Sequence, residues 1–324
     1  MTASRKTSER RVHHASGSAL PLPPPELVTR VGTLDDGLLY DGFEDDGRRA
    51  RADILSSLPR DWTFEGKRVL DFGCGAGRVL RQFLDEAAVA DMRGCDIDSA
   101  SIQWLEENLD PPFTVVRNDE EPPLPWPNDS FDLIWALSVF THITERWSAW
   151  LLELHRLLDD GGLLFATFLG PGMLEQVGAT GLGGDRAGMS VLHPTQTWDR
   201  GGPIVLHSPW WIVEHWGRAF EIESIHDSGF MSPTDPEAGH GYVLLRKKAV
   251  TLRTADLERI DPREPREIAA LQHAVERLRR EVRRLDHARE HAEARAQNYE
   301  RSVSWRATRP LRWARRLLRR RLNR

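Results

Sequence analysis

Apolar positions along this chain change period several times, and each change marks an element. Val69-Leu70-Asp71-Phe72 is a short apolar run that stops at glycines, the pattern of a strand buried on both faces. Ala76 to Ala90 reads as a helix, Asp91 to Ile97 as a second strand, and Ser99 to Leu109 as a second helix with Ser99 at its N-cap. Phe113 to Val116 and Phe131 to Ala136 give a third and a fourth strand. A helix from Glu145 to Leu158 runs into Asp159-Asp160-Gly161-Gly162, where glycine could supply a left-handed C-cap. Leu163 to Phe168, Phe220 to Ile225 and Gly241 to Arg246 bring the strands to seven. This alternation predicts an α/β fold, a doubly wound and mostly parallel seven-stranded sheet with helices on both faces. The stretch from Gly170 to Pro209 is long for a connection and reads as a lid or binding loop.

The period changes once more near the C-terminus. Ile268, Leu271, Val275, Leu278, Val282 and Leu285 alternate spacings of three and four, with Ile and Val at one heptad position and Leu at the other. That pattern favours a parallel two-stranded coiled coil, hence a homodimer, over a helix folded back on its own domain. The expected organisation is an extended Ser/Arg- and Pro-rich arm over 1–25, a globular domain over 26–249, a linker over 250–265, a coiled coil over 266–300 and a tail over 301–324.

Charge refines this division. The net charge is −5, yet residues 301–324 hold ten arginines and no acid, which leaves about −15 on the preceding 300 residues. An acidic body argues against nucleic acid as the substrate, because phosphate neutralisation supplies most of such affinity. In the tail, Leu311, Trp313, Leu317, Leu318 and Leu322 interleave with arginine, as in a basic amphipathic helix suited to an anionic membrane surface or an acidic partner. Two cysteines, Cys74 and Cys95, imply no disulfide framework, and no leader or spanning segment is read. The expected location is the cytoplasm, including the inner membrane surface.

The densest chemical signal is Asp71-Phe72-Gly73-Cys74-Gly75-Ala76-Gly77-Arg78, a strand that ends in a glycine-rich turn. Glycines permit positive φ and let backbone approach a ligand closely. A dinucleotide site shares these traits, but the spacing here is Gly-x-Gly-x-Gly and Asp71 precedes the first glycine. An acid there would repel a pyrophosphate, whereas it can hold an ammonium.

This segment resembles the first motif of class I S-adenosylmethionine-dependent methyltransferases, and later segments match in order. Gly94-Cys95-Asp96-Ile97-Asp98 resembles the second-strand end of that family, which implies that Asp96 binds both ribose hydroxyls and Ile97 packs on adenine. Val116-Arg117-Asn118-Asp119 resembles the third-strand end, giving Asp119, with Asn118, the adenine amino group. Ala136-Leu137-Ser138-Val139-Phe140-Thr141-His142 occupies the loop beside the methionine portion, which places Leu137 there. The resemblance thus implies S-adenosyl-L-methionine as cofactor, bound by Asp71, Gly73, Gly75, Gly77, Asp96, Ile97, Asn118, Asp119 and Leu137, with no metal. If the acceptor is a hydroxyl, histidine is the natural base near neutral pH, and His142 and then His207 are the candidates. His193, Trp198, Trp210 and Trp211 suggest an aromatic wall suited to a sugar ring or another flat acceptor.

Ser302 to Arg312 resembles a short element that follows coiled coils in some bacterial glycosyltransferases and companion enzymes of surface-polysaccharide assembly. The expected function is therefore methyl transfer to a hydroxyl of a glycan, nucleotide sugar or lipid-linked saccharide. A methyltransferase of a small secondary metabolite would share the same first half. A non-catalytic coiled-coil scaffold is the reading of another class, and the intact glycines, Asp96 and Asp119 count against it.

Overall fold

The computed structural model describes residues 20–31, 39–182, 186–198 and 201–301. Its centre is a seven-stranded sheet of β1 (Arg68–Phe72), β2 (Asp91–Asp96), β3 (Thr114–Arg117), β4 (Phe131–Ala136), β5 (Leu158–Phe168), β8 (Phe220–Phe230) and β9 (His240–Lys247). A separate hairpin pairs β6 (Met189–Leu192) with β7 (Ile204–His207). The helices are α1 (Pro25–Val28), α2 (Leu39–Ser57), α3 (Ser99–Asn108), α4 (Trp147–Leu157), α5 (Pro209–His215), α6 (Thr254–Glu258) and α7 (Pro265–Arg301).

Strand order is β3-β2-β1-β4-β5-β9-β8. The first five strands run parallel, and β9 lies antiparallel between β5 and β8. This is a Rossmann-like doubly wound architecture, with the mostly parallel sheet expected from the apolar strand runs. Chain order reverses between β1 and β4, and the carboxyl ends of strands at such a switch point open a crevice where ligands bind. Both faces of the sheet are covered: Leu70, Ile134, Leu164 and Leu151 pack on one side, Val69, Leu133, Trp135 and Phe165 on the other.

Three local expectations are corrected. Residues 76–90 form turns and two 3₁₀ segments, Leu80–Phe83 and Glu86–Ala88, in place of an α-helix. Their hydrogen bonds mix spacings, Arg81 N donating to Gly77 O at 3.1 Å and Gln82 N to Val79 O at 2.9 Å, after two positive-φ glycines. No helix N-terminus therefore faces the crevice at this turn. The N-cap of α3 is Asp98, whose carboxylate accepts from Ala100 N, one residue before the expected Ser99. Helix α4 is not closed by glycine; Leu158 is already extended and starts β5, so Gly161 bends inside that strand.

The long stretch after β5 folds into the β6–β7 hairpin and the start of α5. The first compact unit extends to Ala270 and so includes residues 250–265, the expected linker. Leu257 is fully buried, and the His215 ring is bonded both to Leu257 O at 2.7 Å and to Glu267 Oε1 at 3.0 Å. The end of the expected arm is also packed: Arg81, buried against Glu44, donates to Leu20 O and Pro21 O. The second unit carries the rest of α7, with ion pairs of Arg284 to Glu281 and of Arg289 to Asp286 along its surface. Residues 302–324, where the basic tail is expected, lie outside the described residues.

Candidate active site

At the β1 switch-point end, Phe72 leads into Gly73, whose φ is +80°. A Cβ at Gly73 would lie 2.3 Å from Val139 Cγ2, so only glycine lets this turn meet the loop that follows β4. The Gly73 and Cys74 amides donate to Cys95 O at 2.8 and 3.0 Å, which ties the turn to the end of β2. There the Asp96 carboxylate accepts from Gly75 N at 2.7 Å and Asp98 N at 2.8 Å. These two amides fix the carboxylate at the rim, although burial raises its pKa.

A cleft of about 400 Å³ opens beside this turn. Its cofactor end is lined by Phe72, Gly73, Asp96, Ile97, Asn118 and Trp150, its far end by His142, Thr144, Glu145, Arg146, Trp198 and Pro203. Phe72 and Trp150 meet at 4.9 Å and make an apolar wall at the cofactor end.

Four of the nine expected cofactor residues line this cleft: Gly73, Asp96, Ile97 and Asn118. Asp71 and Gly75 sit directly behind them. Gly77 packs on α3, where a Cβ would come within 2.7 Å of Leu105. Leu137 is partly buried against the Trp135 side of the core and is not among the residues lining the cleft. Asp119 is exposed and outside the cleft, whereas its neighbour Asn118 is 8 % exposed, with Nδ2 donating to Asp119 O at 2.7 Å and Oδ1 left without a partner. The unpartnered acceptor at this strand end is the Asn118 amide oxygen.

These residues fit S-adenosylmethionine on the structure's own terms. Two buried acceptors, Asn118 Oδ1 and Asp71 Oδ2, are left unpartnered, although the Trp135 indole and the Leu80 amide already reach the Asp71 carboxyl, and a buried acceptor left unpaired is costly. An exocyclic amine at Asn118 would satisfy the first, and an ammonium reaching Asp71 behind the cleft lining would satisfy the second. Burial, with the nearby Asp96 charge, pushes the Asp71 carboxyl up to about 7. An ammonium placed against it would pull that value back down. Cofactor binding near pH 7 is therefore expected to release protons, read from the slope of binding heat against buffer ionisation enthalpy. Proton uptake, or no linkage, would contradict the Asp71 assignment.

The two histidine candidates separate sharply. His142 Nδ1 lies 2.8 Å from Pro203 O, and a carbonyl can only accept, so Nδ1 carries the proton. Nε2 of the neutral ring is then a bare acceptor at the cleft wall. Desolvation, partly offset by the Pro203 hydrogen bond, lowers the His142 pKa below its usual 6.5, so the ring is neutral at pH 7. His207 is corrected to a core residue: it is 1 % exposed, neither ring nitrogen has a partner, and the ring packs on Trp211 at 5.3 Å. Burial and neighbouring His215 push it down to about 3. Trp210 and Trp211 are buried in the same core, and of the expected aromatic wall only Trp198 lines the cleft.

Sequence reasoning missed His240. At the start of β9 its Nδ1 lies 3.4 Å from Ser138 Oγ, in the loop after β4, where Ser138 has φ +58°. Burial first, then the proximity of His142 and Arg78, pushes it down to about 4. Thr144, Glu145, Arg146 and Trp150 were also missed; they follow His142 closely in the chain, and that adjacency was the available signal.

Comparison with known proteins agrees with this geometry. Residues 70–166 match the family described as the methyltransferase domain. The match runs from β1 through most of β5, the strands that form the cofactor end of the cleft. Over 108 residues the chain is 34% identical to phthiotriol/phenolphthiotriol dimycocerosates methyltransferase 1 of Mycobacterium ulcerans, covering 33% of this chain and 39% of that one. Over 130 residues it is 33% identical to the malonyl-[acyl-carrier protein] O-methyltransferase of Halorhodospira halophila, covering 37% and 41%. The chain thus spans about two fifths of the length of these curated relatives. Among solved structures, it is similar to an S-adenosylmethionine-dependent methyltransferase from Mesorhizobium loti, with 19% identity and a TM-score of 0.48 over 63% of this chain and 100% of that one.

Proposed function

We propose that this protein transfers a methyl group from S-adenosylmethionine to a hydroxyl of a saccharide acceptor, whether a glycan, a nucleotide sugar or a lipid-linked saccharide of surface-polysaccharide assembly. The observation that carries the reading is the orientation of His142: its Nε2 is bare in the same cleft that holds Asp96 and Asn118. The cofactor, when bound, supplies a methyl already activated on a sulfonium. The protein's part is to hold donor and acceptor together and to take a proton. Asp96 and Asn118 hold the nucleoside end, Asp71 the ammonium, and His142 Nε2 accepts the acceptor's hydroxyl proton as its oxygen is alkylated. The resulting imidazolium gives that proton to solvent.

Transfer of radiolabelled methyl from the cofactor to a panel of saccharides, fatty acids and acyl thioesters tests this reading. Label in saccharide ether supports it. Label confined to acyl esters would favour the second reading, an acyl acceptor, to which the name of the Halorhodospira halophila relative points.

The same proposal gives α7 a pairing role on the cytoplasmic side of the membrane, with the arginine-rich tail at an anionic surface or an acidic partner. Ile268, Leu271, Val275, Leu278, Val282 and Leu285 are 45–57% exposed along one stripe of this helix. A second copy in parallel register would cover that stripe and make a homodimer. Sedimentation equilibrium at micromolar concentration reads the association directly, and a monomer there would contradict it.

A further inference from the structure

The far end of the cleft carries its own chemical signature. Trp198 sits in the turn between β6 and β7 with 46% of its surface exposed, unusual for the largest side chain on a cleft wall. Its backbone is fixed by the turn, since Gly201 N donates to Trp198 O at 3.1 Å and Gly202 N to Thr197 O at 2.9 Å. The same turn presents Pro203 O to His142, so the indole and the base belong to one tied unit.

Among the described residues lining this cleft, carboxylates outnumber cations. Glu120 and Glu145 line the cleft, and the Thr144 hydroxyl, which donates to Glu145, lowers that carboxyl's pKa and keeps it ionised. Arg146 is the one cation among the described lining residues, and its guanidinium already meets Glu121 at 2.5 Å. His142 is neutral at pH 7. A pyrophosphate or carboxylate entering here would meet the Glu145 carboxylate, with Glu120 further along the cleft beside Trp150, and no unengaged cation among the described residues, and like charges brought together cost several kcal/mol. A neutral ring with an apolar C–H face and hydroxyls at its edge meets no such opposition. Its face can lie on the indole, and Thr197, Gln196 and the carboxylates can serve its hydroxyls.

We infer that the acceptor end of this cleft takes an uncharged sugar ring seated on the face of Trp198 and rejects anionic acceptors. The inference rests on the methyltransferase reading and narrows it, because it removes nucleotide sugars and free carboxylic acids from the acceptors.

The test is saturation-transfer NMR on the full chain, with and without saturating S-adenosylhomocysteine. The probes are methyl glycosides of glucose, mannose and rhamnose, set against glucuronate and glucose 1-phosphate. At least one neutral glycoside is expected to bind, and neither anion. Trp198→Ala should weaken that glycoside about tenfold, Trp198→Phe less, with the S-adenosylhomocysteine dissociation constant within about twofold of the parent's. Glu120→Gln with Glu145→Gln should let glucose 1-phosphate in. Absence of all glycoside binding, equal binding of the anions, or a Trp198→Ala protein that holds the glycoside unchanged would overturn the inference. Failure to bind S-adenosylhomocysteine with glycoside binding intact would instead defeat the methyltransferase reading and leave the sugar site standing.

Discussion

Replacing His142 with alanine is expected to lower kcat by roughly 10²- to 10⁴-fold, the usual contribution of a positioned general base. The effect should fall on kcat, because Asp96 and Asn118, the proposed cofactor contacts, line the other end of the cleft. The sign of the pH dependence follows from the lowered His142 pKa. A base must be unprotonated to accept, so turnover in the parent rises as pH climbs through a value below 6.5 and is level above it. The variant should lose that acid limb along with the rate. Unchanged turnover with both substrates saturating would show that the histidine at the Pro203 carbonyl is only a wall of the cleft.

The second large effect belongs to Asp96. Its carboxylate is held at the rim by the amides of Gly75 and Asp98, so it meets a ribose without reorganising. Losing hydrogen bonds to a charged acceptor costs about 1.5–3 kcal/mol, or a loss of roughly 10- to 150-fold in S-adenosylhomocysteine affinity for Asp96→Ala. Two neighbours calibrate the result. Asn118→Ala removes one neutral acceptor and should cost roughly 2- to 13-fold, from about 0.5–1.5 kcal/mol. Asp119→Ala, on an exposed side chain outside the cleft, should cost nothing measurable. An Asp119 effect as large as that of Asn118 would reverse the assignment made from burial and the unpaired Oδ1.

Much of the fold could be read from the chain because buried parallel strands advertise themselves. Val69 to Phe72 and Phe131 to Ala136 are apolar almost throughout, and both are strands with those bounds to within a residue. What misled was periodicity without hydrogen-bond context. Residues 76–90 carry a helical spacing of apolar groups, yet positive φ at Gly75 and Gly77 and the buried Arg81, bonded to Glu44, Leu20 O and Pro21 O, accompany tight turns. Glycine after α4 looked like a cap because Asp-Asp-Gly-Gly commonly is one; pairing of Leu158 with Phe131 across the sheet decides otherwise.

The site was legible where a motif fixes backbone, as at Gly73 and Asp96, and less so where a one-residue shift changes which side chain turns inward. Asn118 and Asp119 are adjacent and both could accept from an amine, so only burial separates them. His142 and His207 looked alike in the sequence, and their separation depends on the β6–β7 hairpin, which brings Pro203 to one and buries the other among tryptophans. His240 stands far along the chain from the loop it touches, and nothing in local pattern announces a contact across 102 residues.

The central claim is that the crevice at the β1–β4 switch point is built for S-adenosylmethionine. Calorimetric titration of the purified protein with S-adenosylhomocysteine, with NADH as the comparison, tests it most directly. The account predicts saturable binding of the first and none of the second, with affinity lost in Asp96→Ala. Binding of NADH, or of neither compound, would contradict it and turn attention from the glycine turn to the exposed stripe of α7.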